Sequence, residues 1–169
     1  GVGNPIVYVG SKTGRDGIHG ATMASAELSE KSESRRPQVQ IGDPFSEKLL
    51  LEATLEMIDQ DLLVGIQDMG AAGITCSCSE TAFRGGQGIH IDTARVPVRE
   101  TGMTPYEILL SESQERMLVI VRPGHEERVR HICDKWQLEC AAIGEVVPGG
   151  RFIVDHNGER KVDIPAEAL

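Results

Sequence analysis

The sequence predicts an α/β (α+β) domain, a sandwich in which helices pack on a mixed β-sheet. Short apolar runs such as Ile6-Val7-Tyr8-Val9 and Met117 to Val121 have strand length, and they alternate with longer stretches of helical apolar period. The C-terminal part reads as strand and turn, with Asn157-Gly158 between alternating runs, a strong hairpin signal. A chain of 169 residues supplies one domain with a sizeable core and is marginal for two.

In chain order, Ile6 to Val9 is a buried strand that delivers the glycine-rich loop Gly10 to Gly20. Ala21 to Leu28 is compatible with a helix. Ser29 to Pro37 is charged, rich in serine and without apolar periodicity, which reads as a mobile connection. Val39-Gln40-Ile41 alternates like a half-buried strand and leads to Asp43-Pro44, an N-cap followed by proline at the first helical position. Leu49, Leu50, Ala53, Leu55, Met57 and Ile58 form the expected buried stripe of that helix, which ends near Gln60. Leu62 to Ile66 reads as a short buried strand, Ile74 to Phe83 as a second helix ended by Gly85-Gly86, and Ile89 and Ile91 as the inward residues of a strand that turns His90 toward water or a partner. Thr104-Pro105 starts a short helix through Leu110, the polar run Ser111 to Glu115 breaks it, and Met117 to Val121 is the next strand. Pro123 opens a helix with Val129, Ile132, Cys133 and Trp136 facing inward. Cys140 to Val147, Phe152 to Val154 and Lys161 to Ile164 complete the strands.

Composition excludes several classes. With 26 acidic against 17 basic residues, a formal charge of -9, the chain lacks the basic stripe of a nucleic-acid or anionic-membrane surface. No signal peptide or membrane-length apolar segment is visible. The four cysteines fit no zinc framework, because Cys76 and Cys78 form a single C-x-C and Cys133 and Cys140 stand apart; reduced, mostly buried thiols in a cytoplasmic protein are expected. The start at Gly1-Val2-Gly3-Asn4-Pro5, without methionine and running into a strand, reads as one domain cut from a longer polypeptide.

Three stretches carry chemistry. Lys12, Thr13, Gly14, Arg15, Asp16 and Gly17 lie in a loop with four glycines, between a strand and a helix-compatible stretch, where backbone N–H groups can converge on an anion. The spacing is neither a P-loop nor G-x-G-x-x-G, and a surface loop with solvated charges is the competing reading. Asp68, at the end of an apolar run and followed by Gly70-Ala71-Ala72-Gly73, can present a hard oxygen ligand from a sheet edge; the alternative is a carboxylate that caps the helix after it. Glu112 and Gln114, two apart in an extended chain, can aim at one ligand or lie in a plain loop.

Four ordered motifs, Gly10-Ser11-Lys12-Thr13-Gly14-Arg15-Asp16-Gly17-Ile18-His19-Gly20-Ala21, Gln40-Ile41-Gly42-Asp43-Pro44-Phe45, Gln67-Asp68-Met69-Gly70-Ala71-Ala72-Gly73 and Leu110-Ser111-Glu112-Ser113-Gln114-Glu115-Arg116-Met117, together closely resemble the phosphoribosylformylglycinamidine synthase family. The match is to the small bacterial synthetase subunit and covers essentially the whole chain as one internal domain. That domain is similar to the C-terminal half of aminoimidazole ribonucleotide synthase, a fold that occurs twice in the full subunit, and this chain corresponds to its first copy. The resemblance implies a ligase of purine biosynthesis in which ATP phosphorylates the amide oxygen of formylglycinamide ribonucleotide and glutamine-derived ammonia displaces phosphate. It implies Gln40, Glu112, Ser113 and Gln114 as substrate contacts, Asp68 as a magnesium ligand, and loop 12–17 as a phosphate or inter-domain contact. The general-base histidine, the ATP contacts and the other magnesium carboxylates are implied to lie outside this chain, so the isolated domain is expected to be inactive. Further implied partners are the remaining domains of the subunit, a glutaminase subunit and a small accessory subunit; apolar surface left uncovered would favour self-association. Two rival readings remain at this stage: another ATP-using enzyme of the superfamily, such as aminoimidazole ribonucleotide synthase or selenophosphate synthetase, and a non-catalytic nucleotide-binding module.

Overall fold

The computed structural model describes residues 1–18 and 41–168. Seven strands form one sheet: β1 (Pro5–Gly10), β2 (Leu63–Asp68), β3 (Gly88–Asp92), β4 (Arg116–Val121), β5 (Glu139–Val147), β6 (Arg151–His156) and β7 (Glu159–Pro165). Their spatial order is β2-β4-β1-β5-β3-β6-β7, which puts β5 at the centre with β1 beside it and β2 and β7 at the edges. β3 and β6 run parallel and the other strand ladders are antiparallel, so the expected mixed sheet is present.

Alternation along the central strands sends side chains to both faces, and each face carries its own core. Ile6 and Tyr8 of β1 join Leu118 and Ile120 of β4 beneath α2 (Gly73–Gly85) and α3 (Pro105–Leu110), where Ile74, Cys78, Ala82, Ile108 and Leu109 meet them. Val7, Val9, Val119 and Val121 face the other way, against Leu50, Ala53 and Met57 of α1 (Pro44–Asp59) and Val129, Ile132 and Cys133 of α4 (Glu126–Lys135). Each large aliphatic chain so buried contributes about 1.5–3 kcal/mol. The four cysteines are free thiols, with Cys78 and Cys133 buried.

Local chemistry explains where several elements begin. Asp43 caps α1 by accepting the Phe45 N–H, with Pro44 at the first helical position. At α3, Thr104 and Glu107 form a reciprocal capping box. Gly86, at φ 61°, ends α2. Asn157 and Gly158 both take positive φ, as a tight two-residue hairpin turn requires.

Four expectations need correction. The expected α1 stripe is wider than its core: Leu50, Ala53 and Met57 are buried, whereas Leu55 and Ile58 are exposed. The segment after Leu62 is a half-exposed edge strand, since only β4 pairs with β2 among the described strands. Asp68 does not cap α2: that helix starts at Gly73, behind Ala72 in left-handed conformation, with no side-chain cap. Pro123 precedes α4 without opening it, since the helix begins at Glu126. The Ala21 to Leu28 helix, the Ser29 to Pro37 connection, Gln40 and His19 lie outside the described residues; Ile41 is exposed and in no strand.

Candidate active site

The antiparallel neighbours β1 and β4 pair Gly10 with Arg116, which sets the glycine-rich loop beside the polar run that precedes β4. The crossing is tight. A Cβ on Gly10, at φ 125°, would lie 2.1 Å from the Glu115 carbonyl oxygen, and that oxygen accepts the Ser11 N–H at 2.9 Å. Ser113 Oγ accepts the Gly14 N–H at 2.9 Å and also bonds the Asp16 carboxylate, while the Glu112 N–H donates to the Asp16 carbonyl at 2.8 Å. Thr13 is fully buried, its hydroxyl 3.0 Å from that of Tyr8.

The charges of the loop have partners within the domain. Arg15 donates from Nε to Glu107 at 2.7 Å and from Nη1 to Glu100 at 2.8 Å, and Asp16 pairs with Arg99. The Arg15 guanidinium, helped by the Thr104 N–H and hydroxyl, holds the Glu107 carboxyl down to about 2. Lys12 is exposed, with Glu139 at 3.5 Å. Gly17 takes a positive φ of 65°.

Next to this crossing lies a cleft of about 250 Å³, lined by Glu47, Leu51, Thr54, Asp68, Gln114 and Glu115 among others. Asp68 stands at the end of β2, opposite Met117 of β4. Its Oδ1 accepts from Gln67 Nε2 at 3.0 Å, and a Cβ on Gly70 would come within 2.9 Å of Oδ2. Gln114 is half-buried and donates from Nε2 to the Glu112 carbonyl at 2.9 Å. Glu115 sits in left-handed conformation at φ 56°, and its carboxylate accepts the Asp43 N–H at 2.8 Å. Burial, with Glu47 and Asp43 nearby, pushes the Glu115 carboxyl up.

The fold therefore brings Asp68 and Gln114 to one cleft, whereas Glu112 and Ser113 are each only 2 % exposed. The Glu112 carboxylate accepts the Ala72 N–H at 3.0 Å and so ties the polar run to the turn after Asp68. Residues 111–115 do not form a strand, so the two-residue period does not place Glu112 and Gln114 on one face. Sequence reasoning gave no role to Arg116, whose buried guanidinium binds Ser111, Ser113 and Thr13, or to Glu115. A charged residue at the head of an apolar strand was the available signal for Arg116.

Among the described residues no group of three or more His, Cys, Asp or Glu side chains is arranged to hold a metal ion. A magnesium ion usually keeps several waters and takes one or two carboxylates together with substrate phosphates. The exposed Asp68 carboxylate fits one such contribution. No described helix is long and apolar enough to cross a membrane.

Residues 1–157 match the family described as AIR synthase related protein, C-terminal domain. The chain belongs to this family. It is 59 % identical over all 169 residues to phosphoribosylformylglycinamidine synthase subunit PurL of Rhodospirillum rubrum, covering 23 % of that protein. It is 61 % identical over the same span to the subunit PurL of Anaeromyxobacter dehalogenans, covering 22 % of it. The chain thus spans less than a quarter of the curated relatives it matches. T. maritima PurL complexed with FGAR superposes with a TM-score of 0.92 at 40 % identity, over 99 % of this chain and 28 % of that one. T. maritima PurL complexed with ATP gives 0.84 at 36 % identity, over 99 % and 25 %. The structure of PurLQS from Thermotoga maritima gives 0.86 at 35 % identity, over 100 % and 26 %. Crystalline E. coli HypE, at 19 % identity and a TM-score of 0.67 over 98 % of this chain and 50 % of that one, shares the fold alone. The AIR synthase related C-terminal fold is therefore the sandwich the sequence predicts.

Proposed function

We propose that this domain serves an ATP-dependent C–N ligase that converts formylglycinamide ribonucleotide, ATP and glutamine-derived ammonia to formylglycinamidine ribonucleotide, ADP and phosphate. The observation that carries this reading is the identity of about three residues in five with PurL subunits across the whole chain. The complexes with FGAR and with ATP of structurally similar PurL chains support the two substrates.

In this reaction ATP transfers its γ-phosphoryl group to the amide oxygen, and ammonia attacks the activated carbon and expels phosphate. Asp68 supplies one oxygen to a magnesium ion, which when bound neutralises charge on the transferring phosphoryl group. Gln114, on the same cleft, offers amide donors and an acceptor to the ribonucleotide, and Gln40 is a second substrate contact. Glu112 and Ser113, the other two expected contacts in the polar run, contribute by holding it against the Asp68 turn and the glycine-rich loop. Loop 12–17 meets phosphate or a neighbouring domain through Lys12, since the Thr13, Gly14 and Arg15 N–H groups donate to Pro97, Ser113 and Glu100 and the Arg15 guanidinium is engaged by Glu100 and Glu107.

The base, the ATP contacts and further magnesium ligands come from other domains of the same subunit, so this domain alone is inactive. It works in the cytoplasm beside a glutaminase subunit and a small accessory subunit, a reading that the PurLQS assembly supports. Exposed Leu51, Leu55, Ile58, Val64 and Phe83 favour self-association of the isolated domain.

The test uses the full-length protein that carries this domain. ADP release should depend on the ribonucleotide and on ammonia, and Asp68→Asn should lower it by orders of magnitude. Removing the negative charge weakens a hard-cation site, so added magnesium should recover part of the loss. The melting temperature should hold, because Asp68 is exposed and caps no helix. Full activity with an unchanged magnesium response would refute the assigned role.

A further inference from the structure

Arg116 is 3 % exposed, yet every hydrogen bond recorded for its guanidinium goes to a neutral oxygen. Nε donates to the Ser113 carbonyl at 2.6 Å, Nη2 to the Ser111 carbonyl at 2.6 Å, and Nη1 to the Thr13 hydroxyl at 2.9 Å. Its backbone carbonyl accepts the N–H of Met69, the residue after Asp68, at 3.2 Å. One residue thus touches the glycine-rich loop, the polar run and the Asp68 turn. Asp16, the nearby carboxylate, is committed to Arg99 and the Ser113 hydroxyl.

Burying a guanidinium without a dedicated counter-ion is a poor way to gain stability, because desolvating the charge costs several kcal/mol and an apolar side chain of similar volume would avoid it. A planar fork of donors, however, fixes the relative position of several acceptors as no apolar group can. We propose that Arg116 is the positioning residue of this cleft, setting the polar run and the glycine-rich loop so that Gln114 and Asp68 stand at the correct separation for the ribonucleotide. The proposal rests on the functional reading above and adds to it a residue at the cleft wall that acts through its neighbours, its guanidinium being bonded to Ser111, Ser113 and Thr13. Burial pushes the Arg116 pKa down, but the group remains a cation.

The test again uses the full-length protein. Arg116→Lys keeps the charge but offers a compact ammonium where three acceptors need a fork. The variant should fold, with KM for the ribonucleotide raised about ten-fold or more and KM for ATP changed less than about two-fold. In Arg116→Ala, added guanidinium ion should lower the ribonucleotide KM again while leaving the unsubstituted protein unaffected. Amide hydrogen exchange gives a readout that needs no turnover: in Arg116→Lys it should quicken at Gly14, Ala72 and Ser113 and stay constant in β3 and β6. Wild-type constants in a folded Arg116→Lys, an equal rise in both constants, or unchanged exchange at those three amides would overturn the proposal. Failure of both variants to fold would also overturn it, by making Arg116 a stability residue. If the unsubstituted protein showed no ribonucleotide-dependent ADP release, the functional reading would fail, and exchange would still decide whether Arg116 fixes the cleft.

Discussion

The same substitution at the two ends of α2 isolates the close packing of the Asp68 turn. Gly73 begins this helix at φ 50° and Gly86 follows it at φ 61°, so alanine meets the same left-handed backbone penalty at both, about 1–2 kcal/mol. Their surroundings differ. A Cβ on Gly86 has nothing within 4 Å, whereas a Cβ on Gly73 would lie 2.0 Å from the Ser111 carbonyl oxygen. That oxygen belongs to a fully buried residue and accepts from Arg116 Nη2, so it cannot swing aside as a surface side chain would. Overpacking of this kind adds about 1–3 kcal/mol, which predicts a loss of about 2–5 kcal/mol for Gly73→Ala against about 1–2 kcal/mol for Gly86→Ala. Urea unfolding measures the difference directly. With an m-value of about 2 kcal/mol per molar, the midpoint should fall by about 1–2.5 M for Gly73→Ala and by about 0.5–1 M for Gly86→Ala. Equal midpoint shifts would show that Ser111 yields freely, and the rigid docking of the polar run on the Asp68 turn would be wrong.

Two further outcomes follow from the same geometry. Glu107 is held at about 2, below its ordinary 4.5, so it stabilises the fold above the unfolded value and that contribution is lost as pH falls through about 2; Glu107→Gln should flatten the fall of stability between about pH 4.5 and about pH 2, and an unchanged acid profile would contradict the Arg15 and Thr104 contacts. In the full-length protein, Gln114→Ala should raise the ribonucleotide KM about five- to a hundred-fold with little change for ATP, the loss of one contact that leaves its partner unpaired, whereas equal effects on both would point to a structural part for Gln114.

Signals confined to a few neighbouring residues were legible in the sequence. Asp43-Pro44, Thr104-Pro105, Gly86 and Asn157-Gly158 each act through backbone conformation within one turn, and each lies where local chemistry puts it. Apolar period likewise located the inner strands and α1, α2 and α4, since each of these buries a face, whereas β2 and β7 are only partly covered. Period does not say where in a sheet a strand falls. Leu62 to Ile66 looked fully buried because Leu, Val and Ile dominate it, yet among the described strands only β4 pairs with it, and Val64 is exposed. Leu55 and Ile58 are apolar too, but at 3.6 residues per turn they lie well round the helix from Leu50, Ala53 and Met57, so the period itself separates the two exposed residues from the buried stripe.

The candidate site was legible in outline for a different reason, and its internal division was not. A polar run between two apolar ones announces unusual demands on its side chains, but whether each side chain faces a ligand or the protein is decided by partners far away in sequence. Glu112 turns inward because the unpaired Ala72 N–H, 40 residues earlier, needs an acceptor. Arg116 turns inward because the Ser111 and Ser113 carbonyls and Thr13, 103 residues earlier, need a donor. Those internal bonds are what leave Gln114 and Asp68 on the open side of the cleft, since a backbone held this tightly has few ways to present the remaining residues. Buried polar groups must be paired, so Glu112, Ser113 and Arg116 are spent on their neighbours, while Gln114 and Glu115 line the cleft. On this argument the polar run divides into a substrate contact and the framework that aims it, and substitutions in the two groups should fail in different ways: those in the framework by displacing the cleft, those on the cleft by leaving it intact and weakening what it binds.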